Sequence, residues 1–245
     1  MQEKIYELSL ELLQNSNYFN SVIVPNMKIN YYWSQDWSEE FYILLAKLGF
    51  ISTTYETSEG LVLLPELQFE YGVLEFKNLN IDSKVKKLIK EDKFELSFDT
   101  SFNQLLEKII QHHSKYNWLK GPYLTLMQML HQKQENYPNF KLHSIELLSK
   151  ESKELIAGEI GYVIGNTYTS LTGFSSREKR YNNCGKLQLV LLAQHLQKRG
   201  FNFWNLGHPH MEYKKRLGSK VYTRESFLNI WQEATKNRAL KDIYE

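Results

Sequence analysis

The stretch from Leu142 to Leu206 restricts the possible folds more than any other part of the chain. Leu142–Leu148 reads as a strand, the polar Ser149–Glu154 as a turn, and Leu155–Ile164 as a second strand. Gly165-Asn166 then supplies residues that tolerate positive φ, so a hairpin turn leads into a third strand, Thr167–Phe174. Strands joined so tightly pair antiparallel. After a polar loop, Leu189, Leu192, Ala193 and Leu196 recur at the spacing of one helix face within Lys186–Arg199. Gly200 ends that helix, and Phe201–Leu206 forms a further strand beside the third. A short basic helix, Glu212–Arg216, and a helix capped at Thr223 that buries Phe227, Ile230, Trp231 and Ala234 complete this half.

Upstream, helix and strand signals mix. Asp36-Trp37-Ser38-Glu39 has the form of a capping box, followed by Phe41, Leu44, Leu45 and Leu48 and closed by Gly49. Ser101-x-x-Gln104 opens a helix with Phe102, Leu105, Leu106 and Ile109 on one face. Pro122 fits the first turn of another, with Tyr123, Leu126, Met127 and Leu130 on its apolar face. Leu61–Leu64, Tyr71–Phe76 and Phe94–Phe98 are strand-like, and Lys84–Lys90 is a basic stretch. The polar residues 133–141, with Pro138, suit a subdomain boundary. The expectation is an α+β (mixed α/β) chain with a smaller mixed α/β subdomain over 1–115 and a larger domain over 116–245. Three antiparallel strands, a helix entered through a polar loop and a strand beside the third follow the order of a GNAT-like acyltransferase core. In that fold two central strands splay apart and the acyl donor occupies the cleft.

Charge and cysteine content bound the partners. A net charge of +2 permits a polyanionic partner without requiring one, and 14% aromatic residues suit both a core and base stacking. The single cysteine, Cys184, rules out an intrachain disulfide framework and fits a reducing compartment. No run approaches the roughly 18 apolar residues of a membrane helix, and the N-terminus lacks the pattern of a cleaved leader. A cytoplasmic protein with no membrane partner is expected; oligomeric state is left open.

Several stretches occur in one order at recognisable spacing. They are Asn117-Trp118, Leu142-His143-Ser144-Ile145-Glu146, Leu155-Ile156-Ala157-Gly158 with Gly161, and the turn Gly165–Tyr168. The loop Phe174-Ser175-Ser176-Arg177, then Asn183–Lys186, Leu217-Gly218 and Phe227-Leu228 continue the series. In these the chain resembles the leucyl/phenylalanyl-tRNA–protein transferase family from about Tyr116 onward. The resemblance implies transfer of an amino acid from an aminoacyl-tRNA to the N-terminal α-amine of an acceptor protein, a tag of N-degron type, by direct aminolysis of the ester and without a cofactor. It also implies an apolar pocket for the aminoacyl side chain and a tryptophan under the terminal adenosine. Trp118 matches such a position, or is an ordinary buried tryptophan. Phe174, Ser176 and Leu206 are the other expected donor contacts, with Leu171 and Val163 as further lining.

The chain departs from the family at telling places. A family tryptophan falls on Thr53, an acidic residue on Thr172, and an Asp-x-Gln pair on Leu206-x-His208. An α-amine with a pKa of about 7.7–8.0 is partly neutral at pH 7, so the reaction asks only for positioning, a modest proton acceptor and help for the oxyanion. His208 is the expected acceptor, or else a loop histidine bonded to backbone. Thr172 is placed with it as a catalytic or amine-contacting residue. Arg177, Arg180 and Lys186, with Lys179, surround a helix start, where cations and free N–H groups favour phosphate. Lys214 belongs to a second basic cluster with Lys215, Arg216 and Lys220. Those clusters are expected to meet tRNA phosphates. His208-Pro209-His210 and His112-His113 lack a third ligand, so no metal is expected. Cys184, near a helix start and cations, is a candidate activated thiol, although aminolysis of an activated ester does not need one. Two other readings stay open. Arg180-x-x-Asn183-x-Gly185 approximates the pyrophosphate loop of acyl-CoA N-acyltransferases, and the altered site residues suit a non-catalytic RNA- or protein-binding relative.

Overall fold

The computed structural model describes residues 5–236 and 239–244. At the N-terminal edge β1 (Tyr6–Glu7) leads through α1 (Leu10–Gln14) and α2 (Ser16–Tyr18) to β2 (Tyr32–Trp33), its parallel partner. Next come α3 (Glu39–Lys47), the hairpin of β3 (Ile51–Thr57) and β4 (Gly60–Glu66), then β5 (Glu70–Leu74) and α4 (Ser83–Glu91). They are followed by β6 (Phe94–Phe98), α5 (Phe102–His113) and α6 (Gly121–Gln132). The C-terminal half runs β7 (Lys141–Ser149), β8 (Leu155–Ile164), β9 (Thr167–Ser175), α7 (Cys184–Lys198) and β10 (Phe203–Gly207). It closes with α8 (Glu212–Leu217), β11 (Lys220–Thr223) and α9 (Arg224–Thr235).

Seven strands form one mixed sheet in the order β11-β5-β10-β9-β8-β7-β6. β10 runs parallel to β9, as the α7 crossover requires, and the remaining pairs are antiparallel. The chain therefore has the mixed α/β architecture and strand order of a GNAT-like core. β5 and β6, both upstream of residue 116, flank the C-terminal strands within the same sheet. Alternate residues of β8 feed opposite faces. Ile160, Tyr162 and Ile164 join the apolar cluster shared with α3, α5, α6 and α9, whereas Ala157 and Val163 join the one built on α7.

Local signals explain where the elements begin. Ser38, rather than the Asp36–Glu39 box, caps α3: its hydroxyl accepts from Phe41 N at 3.3 Å, while Asp36 folds back to accept from Ser38 N at 2.8 Å. Ser101 precedes α5 without a side-chain cap, and its own N–H donates to Glu146 Oε1 at 3.2 Å. The strand expected to Phe76 stops at Leu74, and Phe76–Asn78 forms a 3-10 turn. The basic stretch Lys84–Lys90 is helical, capped by Asp82 through Val85 N at 2.9 Å.

Two polar anchors tie distant segments together. In the His143-Ser144-Ile145-Glu146 stretch of β7, the backbone N–H of Ser144 donates to Asp99 Oδ1 at 2.7 Å, and His143 Nδ1 lies 2.7 Å from Asp99 Oδ2. His131 Nε2 lies 3.0 Å from the same carboxylate. Burial opposes ionisation of Asp99, yet the bonds from His131 and His143 hold its carboxyl well below the usual range. Ser144 Oγ donates at 2.6 Å to Glu146, whose carboxyl is pushed up to about 7 by burial and whose Oε2 has no partner among the described residues. The second anchor is Arg224, 1% exposed, whose guanidinium donates to the carbonyls of Ile23, Val24, Asn26, Ile29, Leu67 and Gln68.

Candidate functional site

The sheet opens where β9 and β10 part. They pair only over Phe203–Asn205 and Thr167–Thr169. Past that point Asn205 Oδ1 accepts from Gly207 N at 3.0 Å, Gly207 adopts φ +71°, and β10 bends toward β5. β9 is deflected as well. Its register on β8 shifts between Ile160/Thr172 and Gly161/Ser170, leaving Leu171 as the extra residue of a bulge. Gly161 permits this because a Cβ there would run into the Tyr168 hydroxyl.

The divergence leaves a cavity of about 510 Å³. Trp118, Leu171, Phe174 and Leu206 contribute its apolar wall together with Leu189 and Met211. Thr172 also lines it, its Oγ1 3.1 Å from His113 Nε2. Lys186 stands at the first turn of α7 and forms an exposed 3.3 Å bridge to Asp82. Val163 does not reach the cavity; it packs on the α7 side of the core.

Other expected residues lie elsewhere. His208 is outside the lining, half-exposed, with Nε2 3.1 Å from the buried Glu66 carboxylate; that bond raises its pKa. It is neither aimed at the cleft nor bonded to backbone through its ring. Ser176 Oγ accepts from Glu178 N at 3.3 Å, a turn role, and Ser176 is not part of the cavity lining. Arg180 is held by Glu178 at 2.8 Å and Glu154 at 3.2 Å, so the loop it shares with Asn183 and Gly185 does not present a free cation. Arg177 is exposed, reaching the His112 carbonyl at 3.4 Å. Cys184 is buried, and burial pushes its thiol up to about 11, the opposite of an activated nucleophile.

Lys214 requires the largest correction. It is not a surface phosphate contact: it is 6% exposed and lines the cavity, donating to the Leu206 carbonyl and, at 2.9 Å, to the His208 carbonyl. Lys215 and Arg216 beside it are exposed, so α8 turns one cation inward with Leu217 and the others outward.

Sequence reasoning passed over Glu159. It lies in the middle of β8, a strand buried along its whole length, and borders the cavity. Its Oε1 accepts from Ser170 Oγ at 2.6 Å and Tyr168 OH at 3.1 Å, and its Oε2 from Gln188 Nε2 at 3.4 Å. Burial raises its pKa, opposed by these donors. One carboxylate in an otherwise apolar ten-residue run was the available signal.

The family model described as leucyl/phenylalanyl-tRNA protein transferase matches residues 73–232, more than half of the chain. A leucyl/phenylalanyl-tRNA–protein transferase of Shewanella sp. (strain W3-18-1) is 28% identical over 170 residues, which span 68% of this chain and 66% of that one. The transferase of Maridesulfovibrio salexigens is 23% identical over 173 residues, 71% of this chain and 68% of the relative. The matched part is thus about two thirds of the length of these relatives. Among solved structures, the crystal structure of FemX aligns with a TM-score of 0.46 at 11% identity, covering 86% of this chain and 76% of that one.

Proposed function

Because the chain belongs to the leucyl/phenylalanyl-tRNA protein transferase family, we propose that it transfers an amino acid, leucine or phenylalanine in the first instance, from an aminoacyl-tRNA to the N-terminal α-amine of an acceptor protein. The observation that carries this reading is the cavity at the β9–β10 divergence, with an apolar wall of Leu171, Phe174 and Leu206 and with Trp118 at its margin. Such a wall suits an uncharged side chain, and an indole suits a terminal adenine, since a stacked base contributes about 1–3 kcal/mol. Thr172 is positioned to meet the donor's amine or ribose. Lys186, at the open N-terminus of the 15-residue helix α7, with the exposed Arg177 and the lysines of α4, faces the tRNA phosphates. Neither His208 nor Ser176 is given a part at the reacting atoms. Among the described residues no helix is long and apolar enough to cross a membrane, and charged tRNA places the reaction in the cytoplasm.

Labelled transfer tests the reading. Purified protein is offered a panel of charged tRNAs and peptides differing only in their first residue. Labelled peptide product supports it and names both specificities. Label from acetyl-CoA in place of any charged tRNA would establish an acyl-CoA enzyme, and tRNA binding without transfer from either donor would establish a binding protein.

A further inference from the structure

Two ionisable side chains reach the cavity, one from β8 and one from α8, and neither is saturated. Glu159 comes from β8 and is 5% exposed. Trp204 Nε1 donates at 2.8 Å to Ser170 Oγ, which turns the Ser170 hydroxyl proton onto Glu159. Tyr168 and Gln188 fix the carboxylate further, yet Oε2 accepts only the long 3.4 Å bond from Gln188. Lys214 comes from α8. It donates to the carbonyls of Leu206 and His208, and among the described residues its third N–H meets no hydrogen-bond acceptor, only the Tyr213 ring, whose centroid lies 5.8 Å from Nζ. Among those residues Glu159 and Lys214 make no direct ion pair, yet each feels the other's charge and both line the same cavity, where a third group can meet them. Burying two charges without contact costs several kcal/mol; an arrangement of that kind inside a cleft is a mark of chemistry.

We propose that Glu159 and Lys214 are the proton acceptor and the oxyanion donor of this site, an inference that rests on the aminoacyl-transfer reading. The neutral acceptor amine attacks the ester carbonyl carbon and forms the new C–N bond. The carbonyl oxygen takes the negative charge against the Lys214 ammonium, and the excess amine proton passes to Glu159. Collapse of the tetrahedral intermediate breaks the ester C–O bond, and the leaving ribose oxygen takes the proton back from Glu159. The products are an amide and a free tRNA hydroxyl, both side chains return to their starting charge, and no other reactant is consumed. Burial supports these roles. It raises the Glu159 carboxyl, which makes it a stronger base, and lowers Lys214 to about 8, a value at which it is still mainly cationic at neutral pH.

Single-turnover transfer from leucyl- and phenylalanyl-tRNA to the N-terminal peptide panel tests the pair, with donor Kd measured separately. Glu159→Gln is expected to lower the rate constant at saturating donor about 100-fold or more while donor Kd moves less than about threefold. Lys214→Met is expected to lower it by about 100-fold, with partial recovery in Lys214→Arg. The wild-type rate should fall on the acid side beyond what protonation of the acceptor α-amine, with its pKa of about 7.7–8.0, produces by itself, and that extra fall should be absent from the residual activity of Glu159→Gln. Tyr168, Tyr213 and Lys214 are the titratable groups nearest Glu159, with His112 and His113 on the cavity wall, so a fall in excess of the α-amine's own titration that persists in Glu159→Gln belongs to one of them and overturns the assignment. A folded Glu159→Gln that transfers at the wild-type rate, or whose whole defect lies in Kd, also overturns it. Should Glu159→Gln not fold, Glu159→Asp keeps the charge and retracts it; slowed transfer supports the role and an unchanged rate refutes it. A wild-type protein that transfers from no donor would sink the broader reading and the pair together, whereas an active wild type with active variants sinks the pair alone.

Discussion

Trp118 is half-buried, edge-on to Tyr123 at 5.2 Å between ring centroids, and its carbonyl accepts from Thr54 Oγ1 at 2.7 Å. That packing orients the indole without consuming all of its surface. Trp118→Ala should therefore raise donor Kd about 5- to 100-fold and leave the single-turnover rate at saturation within about threefold; binding titrations and rapid-quench assays separate the two. Glu146 carries a different prediction, about stability. Its carboxyl titrates near 7 in the folded chain against an ordinary carboxyl value unfolded, so the folded state holds the proton over the interval between them. Stability from this group is complete below the unfolded pKa and declines as pH rises through 7, by an amount on the order of 3 kcal/mol. The neighbouring Asp99 is shifted the other way, so its contribution is lost only in stronger acid. Urea denaturation between pH 4.5 and 7.5 should show a steeper fall for the wild type than for Glu146→Gln.

At the scale of elements, Arg224 joins the start of α9 to the segment around residues 23–29 and to the end of β4. Arg224→Met would strand its buried carbonyl partners and should cost about 4 kcal/mol, read as a lowered denaturation midpoint with an unchanged slope. The same scale shows what the sequence could and could not disclose. β7, β8, β9 and α7 were legible because each buries an apolar face and their turns carry Gly165 or polar runs. α4 read only as a basic stretch because Val85 is its one fully buried side chain. β11 escaped notice because none of its side chains is fully buried. At the site, the strand pattern named Leu171 and Phe174 as lining but Val163 with them, because the register that turns Val163 toward α7 is not visible in the sequence. Lys214 was misread because its neighbours Lys215 and Arg216 are exposed cations. The signal lay in its i, i+3 spacing to the buried Leu217. The pairing of His208 with Glu66 joins positions 142 residues apart, and no local pattern could supply it.

For the molecule as a whole, one sheet draws strands from both sides of residue 116, and one of its two apolar clusters runs from Leu8 to Ala234. Unfolding should therefore be a single event, with near- and far-ultraviolet dichroism and tryptophan fluorescence tracing coincident curves in denaturant. Separated transitions would show that the N-terminal segments melt independently. The Arg224 anchor has one more implication, in evolutionary terms. All of its acceptors are main-chain carbonyls, which every amino acid supplies, so the join is indifferent to which side chains occupy residues 23–29 and 67–68. A lineage could replace the exposed Pro25, Met27 and Lys28 and keep the attachment, whereas the buried Ile23 and Leu67 stay tied to the core. The exposed positions of this segment, upstream of the family match that begins at residue 73, can thus change while the sheet that it braces is held in place.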